Sequence, residues 1–307
     1  MYFRSLIPAL LLLLSTASAV YSQDARLSYN LVPGKHYILD IDIQQTTSSE
    51  SMNSEDISMY SRMKLEFLVD SAAPSGLIHM TVRYHDLLLS MLAPGMGLDI
   101  NSGTGQNPIL SNLIDTLANQ RFRVSMRESG ELHSVEGLHE IFTSMAAFPA
   151  GDTNRLKVIH STINEAYGPD AFESLFNLLI TIYPNVQPIK NWTRDFTYYL
   201  NSKPVQMANR FFHTRTSEEL VTIQGMGMLN SLEPFTDNIA LGEVQSTVSG
   251  SQTYDFQVER NSGWLEKCLS RQRVKVETTI VKSTRLPEGL KIPSYTETLF
   301  DVKGYIQ

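Results

Sequence analysis

Ile57-Ser58-Met59-Tyr60-Ser61-Arg62-Met63-Lys64-Leu65-Glu66-Phe67-Leu68-Val69 is the stretch that decides the fold. Ile57, Met59, Met63, Leu65, Phe67 and Val69 share one parity, and Ser58, Tyr60, Arg62, Lys64 and Glu66 take the other. Side chains on an extended strand point alternately to opposite faces, so this run is apolar on one face and wet on the other, the mark of an antiparallel sheet. The alternation recurs on both sides. Before it, Tyr37, Leu39, Ile41 and Ile43 alternate with His36, Asp40, Asp42 and Gln44 after a Pro33-Gly34 turn. After it come Ile78, Met80, Val82 and Tyr84, past a Pro74-Ser75-Gly76 turn. Strands this long predict a strongly curved sheet.

Further along, residues 93–106 hold four glycines and read as a flexible stretch. Asn107-Pro108 then suits a helix start, with Asn107 as the cap and Ile109, Leu110, Leu113, Ile114 and Leu117 as the apolar face. Phe122, Val124 and Met126 followed by Ser129-Gly130 predict a hairpin into 132–135. Helices are expected over 136–147, 153–166 and 170–183, the last carrying Phe172, Leu175, Phe176, Leu179 and Tyr183.

From Trp192 onward strands return. They are expected over 194–200, 206–215, 220–227, 243–249, 252–260, 263–269, 273–281 and 295–302. Val248-Ser249-Gly250-Ser251-Gln252 and Asn261-Ser262-Gly263 are read as turns between them. Gly225-x-Gly227, like Gly95/Gly97 and Gly103/Gly105, lacks the third glycine of a dinucleotide fingerprint and is also read as turn material. Helices gathered between two sets of strands predict an α+β fold rather than a doubly wound one. The expected architecture is a long, curved, half-barrel-like antiparallel sheet with a central group of helices on its apolar face.

The first residues carry an address. Arg4, the apolar run from Leu6 to Leu14 and the small residues Ala17-Ser18-Ala19 compose a signal peptide over 1–19, with a second acceptable cut after Ser22. Residues 20–307 are expected to form one globular domain, exported, periplasmic or extracellular, with no transmembrane segment in the mature chain. With 307 residues, 42% hydrophobic, the chain can bury a core without covalent staples. Cys268 is the only cysteine. An intrachain disulfide is therefore excluded, no cysteine near the cut offers a lipoprotein anchor, and parity with Trp264, Val274, Val276 and Ile280 predicts a buried thiol. A net charge of −7 excludes a basic nucleic-acid surface.

Four segments carry a family resemblance. They are Leu31-Val32-Pro33-Gly34-Lys35-His36-Tyr37, Ile100-Asn101-Ser102, the hairpin from Arg123 to Glu131, and Asn261-Ser262-Gly263-Trp264-Leu265. Together they resemble an uncharacterised exported-protein family of Bacteroidetes-type bacteria, domain of unknown function 6263. Where that family carries an acidic residue before Ser102, this chain has Asn101. The resemblance implies an extracytoplasmic protein, with a curved sheet wrapped around helices as in periplasmic lipoprotein carriers.

Catalytic signatures are missing from the chain. It has no Walker loop, no Gly-x-Ser-x-Gly elbow and no zinc-protease pairing of histidines. Glu136-Gly137-Leu138-His139 puts a Glu and a His three apart on one expected helix face, but di-iron sites need that motif twice, so the two read as solvated side chains on an exposed helix face. No cofactor or metal is expected. Methionines gather in the first sheet, and methionine adapts to varied apolar ligands. The expected function is therefore non-enzymatic binding of a hydrophobic small molecule or an envelope protein partner. The residues picked out are Met59, Met63, Phe67, Met80 and Tyr84 on the sheet, with Leu113, Phe172 and Phe176 as helical lining. The rivals are an envelope-directed hydrolase whose carboxylates meet only in the fold, and a structural envelope protein.

Overall fold

The computed structural model describes residues 27–49, 56–93, 96–101, 108–146, 153–186, 190–200, 202–239, 242–281 and 289–307. The expected signal peptide and the expected helix cap Asn107 lie outside them. Thirteen strands form one antiparallel sheet: β1 His36–Ser49, β2 Ile57–Ala72, β3 Leu77–Ala93, β4 Met96–Asn101, β5 Arg121–Arg127, β6 Leu132–Glu136, β7 Asn191–Leu200, β8 Lys203–Thr216, β9 Leu220–Asn230, β10 Phe235–Ile239, β11 Gly242–Glu259, β12 Leu265–Ile280 and β13 Leu290–Ile306. Their order is β6-β5-β3-β2-β1-β13-β12-β11-β9-β8-β7, with β4 beside β3 and β10 beside β11. The first and last parts of the chain meet in the middle, where β1 pairs β13 from Tyr37–Ile306 to Ser49–Ser294. Among the described residues the main run of strands is open and ends at β6 and β7. Among the described residues four helices intervene: α1 Pro108–Asn119, α2 Leu138–Ala146, α3 Thr153–Tyr167 and α4 Pro169–Leu179. None of the described helices is long and apolar enough to cross a membrane.

The period-two readings hold for the first strands. Tyr37, Leu39, Ile41, Leu65, Phe67, Val69, Ile78, Met80, Val82 and Tyr84 are buried. On β3 the phase then changes: Asp86 takes φ 48°, two residues oppose Met63, and Leu87 and Leu89 are the next buried pair. That is a β-bulge, which also sharpens the local twist.

Several expectations are corrected. Part of the stretch 93–106 forms β4 rather than a loop. The expected strands 243–249 and 252–260 are one strand, β11 (Gly242–Glu259), and 263–269 and 273–281 are likewise one, β12 (Leu265–Ile280). Gly250 sits inside the ladder because a Cβ there would lie 2.5 Å from the Arg273 carbonyl oxygen. Gly225 and Gly227 are strand residues as well; added Cβ atoms would meet the Phe211 ring at 2.6 Å and Asn209 Oδ1 at 2.3 Å. Glycine in these strands makes room for neighbours rather than for a turn. Glu136 ends β6, and Gly137 at φ +92° breaks the chain before α2, so Glu136 and His139 share no helix face. Strand β10 was not foreseen.

One buried apolar cluster joins the sheet to all four helices. It includes Leu113 and Leu117 of α1, Ile141 of α2, Tyr167 of α3 and Phe172 and Phe176 of α4. Helix α4 is buried at every position from Ser174 to Leu179, as expected of a helix enclosed on several sides. Its predicted continuation to Tyr183 instead leaves the helix after Leu179. An enclosed helix end needs partners for its last carbonyls. Here Tyr29 donates to Ile180 O (2.9 Å) and Trp192 Nε1 to Ile182 O (2.8 Å), while Thr181 donates to Gly130 O (2.9 Å) and Tyr183 to Gly263 O (2.6 Å). These bonds tie the segment after α4 to three separate parts of the sheet.

Candidate functional site

The eight residues singled out from the sequence come together, but in two roles. Phe67, Met80, Tyr84, Leu113, Phe172 and Phe176 are each at most 3% exposed and belong to the main cluster. Phe172 lies edge-on to Phe122 (centroids 4.9 Å) and to Tyr84 (6.4 Å). Tyr84 donates to Tyr167 O (2.9 Å), and Tyr167 to Leu88 O (2.7 Å), so both hydroxyls are satisfied. Burial raises the pKa of both phenols, which stay neutral donors. These six residues pack helices against sheet and are not part of the lining of the cavity beside Met59 and Met63.

Met59 and Met63 differ. With Ile43, Leu175, Leu178 and Phe300 they line a cavity of about 110 Å³ where α3 and α4 meet β1, β2, β7 and β13. Gln45, Ser61, Tyr198 and Thr298 of the sheet add polar groups to the lining, and Glu165, Ala166, Ala171, Ser174 and Tyr199 complete it.

Gln45 and Thr298 belong to a band the sequence reading missed. Arg194, Asn209, Gly227, Gln252, Gln272, Thr298, Gln45 and Met59 are successive cross-strand partners, running straight across the sheet from β7 to β2. All face the interior by parity. Gln272 Nε2 donates to Gln252 Oε1 (2.8 Å), Gln252 Nε2 to Ser270 Oγ (2.7 Å), Tyr254 to Asn209 Oδ1 (2.7 Å) and Asn209 Nδ2 to Arg194 O (3.1 Å). Buried polar groups bonded to one another in this way avoid the desolvation cost of lone ones. On one side of the band lies the helix-covered cluster; on the other is a second cluster of Val205, Met207, Leu229, Val248 and Val274. The interior is thus apolar, polar, then apolar again along β8, β9, β11 and β12.

Cys268 is fully buried on the same face, and desolvation pushes its thiol well above the ordinary value. Burial keeps the thiol protonated and out of contact with solvent. Among the described residues no group of three or more His, Cys, Asp and Glu could hold a metal ion. On the outer face, Met226 and Met228 are exposed and take no part in the interior. There Glu66 collects His36 Nδ1 (2.6 Å), His85 Nε2 (2.6 Å) and Arg83 (2.7 Å). Partial burial would raise its pKa, but the bonds from His85, Arg83 and His36 outweigh that and hold it at about 2.

The model of a family of unknown function, DUF6263, matches residues 75–265. No curated protein matches the chain. Among solved structures, lipovitellin, described for its lipid–protein interactions, is similar over 90% of this chain at 10% identity and a TM-score of 0.51. The chain spans about a quarter of lipovitellin's length (26%), and at this identity the likeness concerns the fold. An outer membrane channel from Pseudomonas putida F1 aligns over 93% of this chain and all of its own, at 9% identity with a TM-score of 0.22.

Proposed function

We propose that this chain, which belongs to the DUF6263 family of unknown function, is an exported, non-enzymatic binding protein for an apolar small molecule with a polar end. In this reading residues 20–307 act as one domain whose sheet bends into a half-barrel around the helices. The ligand's apolar end enters between Met59, Met63, Leu175 and Leu178, and its polar end meets Gln45 and Thr298. The observation that carries the proposal is the cavity itself, where Met59, Met63, Leu175, Leu178 and Phe300 meet the band residues Gln45 and Thr298 at the contact of α3 and α4 with the sheet. A volume near 110 Å³ admits about three or four water-sized groups, enough for the end of an alkyl chain. Methionine at two of the contacts suits an adaptable fit. The fold likeness to lipovitellin is compatible with this reading.

Native mass spectrometry of freshly purified protein, followed by solvent extraction, tests it. The expected result is a co-purifying amphiphile that is lost in a folded Leu178→Trp variant, where the indole fills the cavity. A clean apo mass from both proteins, after expression with export intact, would refute the proposal.

A further inference from the structure

A separate groove lies between β6 and β7, the two ends of the main run of strands. Its volume is about 730 Å³. One wall is Glu131–Val135 of β6 and its turn, the other Thr193–Thr197 of β7, and the floor is the face of α4 that carries Pro169, Glu173 and Asn177. We propose that this groove docks an extended, lysine- or arginine-bearing peptide segment of a partner protein, which joins β7 as an additional strand.

The direction of the backbone groups on β7 supports this. The Tyr199 N–H leaves the sheet to reach Ser174 Oγ on α4 (2.8 Å), whereas the Lys190 carbonyl accepts from His213 N on the β8 side (3.0 Å). N–H and C=O of one strand residue point the same way and alternate along an antiparallel pair. Odd-numbered residues of β7 therefore face away from β8. Thr193, Asp195 and Thr197 turn both backbone groups toward the groove, and α4 takes up only the Tyr199 end of that edge. A five-residue wall is about 17 Å long, the length of a five-residue strand. Edge addition supplies affinity through main-chain bonds and leaves selectivity to the side chains.

Charge sets the selectivity. Glu131, Glu173 and Asp195 line the groove; Glu131 already lies 4.0 Å from both Arg127 and Arg194, which leaves Glu173 and Asp195 as the carboxylates that recognise a cation. The one arginine there, Arg194, is 8% exposed, bonded to Asn185 and 4.0 Å from Glu131, so its charge is turned inward. Burial, and then Asp170, hold the Glu173 carboxyl above its ordinary range, a state that an incoming ammonium would relieve.

The probe is an N-acetylated, C-amidated pentapeptide, Thr-Lys-Val-Lys-Thr, added to the full mature chain. Backbone amide exchange read by NMR should slow at least tenfold at Thr193, Asp195 and Thr197. N-methylation of alternate peptide amides should abolish binding in one of the two registers, because only one set of amides faces β7. Asp195→Pro removes an edge N–H without touching the β7–β8 ladder, and should weaken binding about fivefold or more. Unchanged exchange at the three amides would overturn the proposal. So would equal binding of both methylated peptides, or of a peptide with glutamate in place of lysine.

Discussion

Glu66 shows how a single exposed-face residue can set a pH limit. Its carboxyl titrates near 2 in the folded chain against 4.5 without partners. A depressed folded value contributes stability that is complete above about pH 4.5 and is lost as pH falls toward 2. Glu66→Gln should therefore cost about 1.5–3 kcal/mol at neutral pH, the range for charged hydrogen bonds. It should also flatten the stability curve between pH 4.5 and 2, measured by urea denaturation at each pH. At the glycines the limit is steric. Gly250→Ala should destabilise by about 1–3 kcal/mol, since its Cβ meets the Arg273 carbonyl of the next strand rather than a yielding side chain. The same denaturation experiment reads it; a neutral effect would mean that β11 does not run through that point.

At the scale of elements, the sequence announced strands where polarity alternated and lost them where it did not. The expected breaks at 248–252 and between 269 and 273, and the early end of β9 at Gly227, all fall on the polar band. Ser249-Gly250-Ser251-Gln252 has the composition of a turn, yet its inner-parity member Gln252 bonds Ser270 and is bonded by Gln272. A buried glutamine that is satisfied across strands cannot be told from a loop glutamine by local composition. Cys268 was legible, because every partner in its parity argument lies within a dozen residues of it in the chain. The extent of α4 was only partly so: the periodicity of Phe172, Leu175, Phe176 and Leu179 was clear, but the helix end depends on Tyr29 and Trp192, far off in sequence. Helix α4 is also where core loss should be dearest. Phe172→Ala removes a ring shared with Tyr84, Phe122 and Phe176, and should cost about 3–5 kcal/mol in thermal or chemical unfolding. A cost under 1 kcal/mol would mean that the helix is loosely held.

On the scale of the whole molecule, the meeting of β1 with β13 places the chain's two halves side by side and leaves the edges β6 and β7 to flank the helices. The candidate residues were chosen for apolar parity, which says that a side chain faces inward but not whether it meets another side chain or a space. That is why six of the eight form packed core while Met59 and Met63 alone among them border the cavity. The polar band was invisible for a related reason: it is a row across eight strands, and its order exists only once the strand order is known.

Methyl spectra of the protein labelled with carbon-13 at methionine test the central claim, an apolar site at the seam between α3–α4 and the sheet. Titrated with dodecanoate, the Met59 and Met63 methyls should shift saturably, while Met80 and Met126 in the packed core stay fixed. Shifts confined to the exposed Met226 and Met228, or no saturable change at Met59 and Met63, would contradict it.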